Sequence, residues 1–278
     1  MDTSDFQHLK VSEEAEGRVV VLELDHGKAN EIGVAVLEEL ERLHERLVSD
    51  DRVVAMITFS RRRSSKGTPI FVAGANVTER RGWSEDKVMQ HVRWQRKVLS
   101  NLRAAPIFHI GVVSGVALGW GTEFLLVCDF RIGCDGAVFA LPETGLGILP
   151  GAGGTSDMRA HIGLAQTLRL GMTGERIDAA EAARIGLIQE VAGSLDAGLE
   201  RARALASLVA KRSPTAMAAF KDGVLRSVGT SAELRTEIEA VRYEHCVLTG
   251  EAAVGREHFS DLVKGGSAPW GPRRLMER

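Results

Sequence analysis

Two acidic residues in unusual company offer this chain's clearest chemistry. Glu123 lies in VALGWGTEFLLVCDF (116–130), where Gly119 and Gly121 flank a tryptophan and an apolar run follows. Further along, Glu143 follows Pro142 in VFALPETGLGILPGAGGT (138–155), among Phe139, Leu141 and Leu146. The segment after Gly121 reads as a helix, so Glu123 falls in a first turn, where the positive end of the helix dipole is expected to hold its pKa low. The apolar neighbours of Glu143 are expected to raise its pKa and keep it protonated near neutrality. Two carboxylates pushed apart by their surroundings are the pattern of a base and an acid serving one reaction.

A third element is PIFVAGANVTE (69–79), an apolar run that ends in Ala-Gly-Ala-Asn before a helix-like segment. Small residues let a backbone approach a ligand closely, and free N–H groups at such a turn can bind an oxyanion. The segment 119–121 could supply a second N–H, and two donors on one carbonyl would stabilise an enolate. The glycine-rich GAGGT (151–155) lacks the lysine and the preceding strand of a phosphate-binding loop, and is read as a turn before a helix. His109 and His161 have no cysteine or carboxylate at ligand spacing and are read as core or surface histidines.

Elements must position these groups. RVVVLELD (18–25), VVAMITFS (53–60) and PIFHIGVVSG (106–115) carry strand signals. Between them, 31–50 places Val36, Leu40, Leu43 and Leu47 at helical spacing, and 85–105 is amphipathic. That alternation implies an α/β fold with parallel pairing and crossover helices. After about residue 195 the strand runs cease and three or four helical stretches follow. The clearest sets Leu234, Ile238, Val241, His245 and Leu248 on one stripe, ready to pack on its own core or on a neighbouring subunit. We therefore expect a core over 1–195 and a helical region over 196–278. The one linker-like stretch is SRRRSSKGTP (60–69).

Composition narrows the partners. With 44% hydrophobic residues over 278 positions the chain can bury a sizeable core. A formal charge of −2 gives no overall basic field for nucleic acid or a membrane surface. Cys128, Cys134 and Cys246 lack paired spacing and read as reduced, buried thiols, with zinc improbable. The N-terminus MDTSDFQHLKVSEEAEG has no apolar core of a secretory signal and is not Arg-rich, and no segment reaches transmembrane length. Together these readings place the protein in the cytoplasm.

The ordered set FVAGANV, GVALGWGTEFLLVCDFRI, FALPETGLGILPGAGGT and TGERIDAAEAARIGLIQEV resembles the crotonase family, the enoyl-CoA hydratases and isomerases, over residues of about 18 to 265. The resemblance implies a spiral of ββα units with a C-terminal helical oligomerisation region. It also implies a homotrimer or dimer of trimers, and a CoA thioester held by its carbonyl, with no metal or other cofactor. Carried over by position, Ala75 and Trp120 supply the backbone donors of an oxyanion hole. Glu123 matches the water-orienting base, and Glu143 the proton donor at the α-carbon. Ala73, Gly74, Asn76, Gly119 and Gly121 fall at substrate-binding positions.

Two residues depart from the family's pattern: Trp120 stands where glycine is common, and Asn76 where aspartate is common. The loop SRRRSSKGT looks longer than the family's usual connection, its cations either solvated or meeting CoA phosphates. The filled pair of acids favours a hydratase. An isomerase, or a lyase, decarboxylase or hydrolase built on the same hole, is the alternative. An RNA-binding or scaffolding protein is the alternative of another class.

Overall fold

The computed structural model describes residues 6–276. The N-terminal segment read above for a targeting signal begins with residues 1–5, which lie outside that range. The chain opens with β1 (Leu9–Glu14) and β2 (Val19–Leu24), then α1 (Val34–Ser49), β3 (Ala55–Phe59), β4 (Ile70–Val72) and α2 (Glu85–Ala104). It continues through β5 (Phe108–Val113), β6 (Val116–Leu118), α3 (Trp120–Leu125), β7 (Phe130–Cys134) and β8 (Val138–Ala140). Next come α4 (Arg159–Thr173), β9 (Ile177–Asp178), α5 (Ala179–Ile185) and β10 (Glu190–Ala192). The helices α6 (Leu195–Val209), α7 (Pro214–Ser227), α8 (Ala232–Leu248), α9 (Glu251–Glu257) and α10 (Phe259–Leu262) complete it.

From β3 to β8 successive strands alternate between two sheets. One sheet has the order β1-β2-β3-β5-β7-β10 and the other β4-β6-β8-β9. Among the described strands the β1–β2 and β8–β9 pairs are antiparallel and the other pairs parallel, as the strand and helix alternation requires. All five residues of β3 are buried, because a parallel strand covered on both faces has no solvent side. One face of the larger sheet meets a core that includes Leu37, Leu40, Phe71, Phe124 and Phe139. The other face packs under α6 through Leu199, Ala202 and Ala206.

The three foreseen strands and the helices over 31–50 and 85–105 are present, each trimmed by a few residues. Strand β1 was not foreseen, because LKVSEE alternates weakly and sits at the sheet edge. Its entry is fixed from α1, where buried Glu39 accepts hydrogen bonds from the Gln7, His8 and Leu9 amides. The strands β4, β6, β8 and β9 are too short for any periodicity to show.

Three of the C-terminal helices, α6, α7 and α8, begin at a shared signal. Ser194, Ser213 and Ser231 each cap the next helix by accepting an amide three residues on. No residue of α8 is buried. Of its stripe, Ile238, Val241 and His245 are half-buried, while Leu234 and Leu248 are exposed. The end of the chain is fastened by Arg273, which is 6% exposed and donates to the carbonyls of Leu47, Val48, Asp50 and Val53 at the end of α1. No helix among the described residues is long and apolar enough to cross a membrane.

Candidate active site

The loops that follow β4, β6 and β8, with α2 and Glu31, converge on one cavity of about 240 Å³, and Glu123 and Glu143 both line it. The first wall follows β4. An isolated bridge joins Ile32 to Ala75, using the Gly74 carbonyl and the Asn76 amide, and so leaves the Ala75 N–H out of the pairing. Ala73, Gly74 and Ala75 face the cavity.

The second wall is the turn from β6 into α3. Gly119 has φ 53° and ψ −118°, a backbone only glycine adopts cheaply, and a Cβ there would collide with the Glu143 carboxylate. Trp120 is the first helical residue, so its N–H has no partner within the helix. The strained position is thus Gly119, and a tryptophan at 120 fits a helical backbone without penalty. Its indole is buried, 5.5 Å from the Phe124 ring, and forms part of the core as well as the cavity wall. At Gly121 a Cβ would lie 2.5 Å from the Val72 carbonyl oxygen, so this glycine seats α3 against β4 and does not reach the cavity wall.

Glu123 is 3% exposed. Its Oε1 accepts hydrogen bonds from the Ala152 amide at 2.7 Å and the Gly154 amide at 2.9 Å. The glycine-rich stretch 151–155 is indeed a run of turns before α4, and these two donors are a function its composition did not reveal. Arg96 holds that loop by donating twice to the Gly151 carbonyl. The expected low pKa of Glu123 is overturned. Burial pushes it up, and the two amides and the Arg96 charge only partly oppose that rise. The dipole of a six-residue helix does not outweigh the loss of water around a carboxylate.

Glu143 starts a single 3₁₀ turn, Glu143–Leu146, after β8. Burial, reinforced by the nearby Glu123 carboxylate, raises it to about 7, the direction expected. Its Oε2 is buried without a protein partner among the described residues. Asn76 is turned elsewhere: its Oδ1 accepts from Thr78 Oγ1 at 2.7 Å and from the Glu79 amide, closing the turn that follows β4. Arg80, Val92 and Gln95 also line the cavity; Val92 and Gln95 lie in the stretch 85–105 that sequence reading took only as amphipathic, and Arg80 lies before it.

The remaining candidates are structural. His109 is fully buried, bonded to Thr58 at 2.8 Å and held near pKa 3 by burial, and His161 meets Arg131 at 3.3 Å. Cys128 and Cys134 are buried and Cys246 half-buried, none of them disulfide-bonded. Among the described residues no cluster of His, Cys, Asp or Glu is arranged to hold a metal. Arg61 and Arg62 pair with Glu23 and Asp25, and Arg63 donates to the Gly67 carbonyl, all away from the cavity. Larger cavities of about 530 Å³ beneath α7 and about 820 Å³ between α7 and α8 contain one carboxylate each, so they lack a paired acid and base.

The family model "Enoyl-CoA hydratase/isomerase" matches residues 14–264. The chain is 30% identical over 237 residues to a short-chain-enoyl-CoA hydratase of Clostridium acetobutylicum, covering 85% of this chain and 88% of that one. It is 34% identical to the human mitochondrial enoyl-CoA hydratase domain-containing protein 2, over 82% of this chain and 77% of the relative. The crystal structure of enoyl-CoA hydratase from Bacillus anthracis superposes with a TM-score of 0.86 at 29% identity, over 95% of this chain and 99% of that one.

Proposed function

Because this chain belongs to the enoyl-CoA hydratase/isomerase family, the crotonases, we propose that it adds water across the α,β double bond of a short acyl-CoA thioester. The observation that carries the reading is the unequal pair of acids on one small cavity. Glu123 is fixed by two amides, and Glu143 is poised at about 7. An anchored carboxylate that accepts two N–H bonds on one oxygen has the other free to take a proton from water. A group with a pKa near 7 is available as a proton donor at neutral pH.

In this reading the Ala75 and Trp120 amides hold the thioester oxygen. The water oxygen bonds to the β-carbon while its proton passes to Glu123. The double-bond electrons move to form the enolate, whose charge the two amides stabilise by roughly 3–4 kcal/mol per donor. Glu143 then gives its proton to the α-carbon, and the carbonyl is restored. Glu123 ends protonated and Glu143 ionised, and exchange through solvent resets them. Gly119 is the hinge of the arrangement, since it turns the Trp120 amide toward the cavity and leaves room for the Glu143 carboxylate. The chain's own acids and amides supply every group the steps use.

Double-bond isomerisation is the second reading, because it needs only Glu143 to move a proton between carbons. Anchoring of Glu123 favours hydration. The test is loss of enoyl absorbance when crotonyl-CoA is added: hydration is expected, and a protein that moves the double bond of 3-enoyl thioesters without hydrating 2-enoyl ones would be an isomerase.

The same reading assigns the exposed apolar side chains of α8, with Phe259 and Val263, to contacts between copies of the chain in a trimer or dimer of trimers. Light scattering that gives about 30 kDa at all dilutions would contradict it.

A further inference from the structure

The wall of the cavity is not uniformly apolar. Val77, Val92, Leu146, Ile148 and Leu149 line it, yet Arg80 and Gln95 do as well. Gln95, from α2, is 3% exposed, and its Oε1 accepts from Arg80 Nη2 at 3.3 Å. That bond orients the amide so that Nε2 is left buried without a partner, and Arg80 Nε is buried without one too. Among the described residues no carboxylate lies within ion-pair distance of Arg80. Glu79, its neighbour in sequence, is turned the other way, toward the Val34 amide at 3.3 Å and His91 Nε2 at 3.8 Å.

Buried donors without acceptors are rare because they forfeit the hydrogen bonds water would give them, and the Arg80 guanidinium, partly desolvated, has the attraction of Glu79 but no ion-pair contact with it. Both residues line the cavity that takes the acyl group in the proposed reading. Their joint complement is an acceptor-only, planar, negatively charged group of two oxygens. The geometry points to an acyl chain that ends in a carboxylate, received by Arg80 and Gln95. Guanidinium and carboxylate match as paired parallel donors and acceptors, and the Gln95 amide supplies a further donor to the same oxygens. The apolar residues then enclose the few carbons between that carboxylate and the thioester, and a cavity of about 240 Å³ leaves room for a short dicarboxylic chain.

The inference rests on the acyl-CoA reading but not on hydration, so binding and turnover are measured separately. Binding is read by calorimetry with two saturated thioesters of equal shape, glutaryl-CoA and 5-methylhexanoyl-CoA, in which two methyl groups replace the carboxylate oxygens. Wild-type protein is expected to bind glutaryl-CoA at least about 30-fold more tightly, the scale of charge-assisted hydrogen bonds. Arg80→Met should reduce that ratio to about threefold or less, Arg80→Lys should recover part of it, and Gln95→Met should lower it by a smaller factor. Equal affinities in the wild type, or tighter binding of the apolar thioester, would overturn the carboxylate subsite. Failure of both to bind would remove the acyl-CoA reading and this inference together. If glutaryl-CoA is preferred while its 2-enoyl counterpart, glutaconyl-CoA, is not hydrated, the subsite stands and the hydratase reading falls.

Discussion

The two sides of the cavity hold their carboxylates in opposite ways. On the α3 side everything is fixed. Glu123 is nearly inaccessible, two loop amides grip one oxygen, and Arg96 fastens the loop that carries them. On the opposite side Glu143 rides a single 3₁₀ turn between exposed Leu146 and half-exposed Pro142, with one oxygen bonded to no protein group among the described residues. Burial raises both groups; the Ala152 and Gly154 amides oppose that rise at Glu123, whereas at Glu143 its own backbone N–H does so. In the proposed mechanism the two loop amides on Glu123, more than burial, tell base from acid.

The largest expected effect breaks each side in turn. Glu123→Gln and Glu143→Gln keep the shape and lose the proton chemistry, and each should lower kcat for crotonyl-CoA hydration by about 10² or more with thioester affinity nearly intact. A silent Glu123 variant beside a dead Glu143 variant would turn the reading to isomerisation.

Loosening the fixed side comes next. In Gly154→Ala the new Cβ would lie 2.6 Å from Pro150 Cβ and 3.2 Å from Glu123 Oε1, so the loop must move. We expect a loss of about 1–3 kcal/mol in denaturant unfolding, with kcat lowered roughly tenfold as the grip on Glu123 slackens.

The poised side should show itself in pH dependence. Glu143 titrates near 4.5 when unfolded and at about 7 when folded. Its contribution to stability is therefore complete below pH 4.5 and lost as pH rises through 7. Unfolding measured at pH 4.5 and at pH 8 should show Glu143→Gln gaining about 1 kcal/mol on the wild type across that range, after allowance for the group's partial exposure. Hydration should decline over the same upper limb, as the proton donor is lost.

Smallest is the turn under Glu143, which Thr144 ties to the Gly171 carbonyl at 3.0 Å. Thr144→Val should cost about 0.5–1 kcal/mol at this exposed bond, and should shift the pH profile more than the maximal rate.

Much of this was open to sequence reading, and the failures have physical causes. The parallel core and its crossover helices follow from long β-branched runs such as 18–25 and from the Leu40, Leu43 and Leu47 stripe. Both acids and the small residues around them stand out because glycine and proline punctuate them. Hidden from sequence were interactions that need distant segments to meet. The amides of Ala152 and Gly154 look like any turn, and nothing local ties them to position 123. The pKa of Glu123 was misjudged for the same reason: a first-turn position is visible in sequence, but the burial that overrides the dipole is a tertiary fact. Gln95 is read as the polar member of an amphipathic helix until α2 is packed, when it becomes one of its buried residues.

The division of labour between the two acids is tested most directly by solvent exchange at the α-carbon. Butyryl-CoA in D₂O cannot be hydrated, so uptake of deuterium, followed by mass spectrometry, reports only the group that serves that carbon. The Glu123→Gln protein should retain exchange within about tenfold of the wild type, while Glu143→Gln should lose it by about 10² or more. Exchange that survives in the Glu143 variant and vanishes in the Glu123 variant would contradict the assignment.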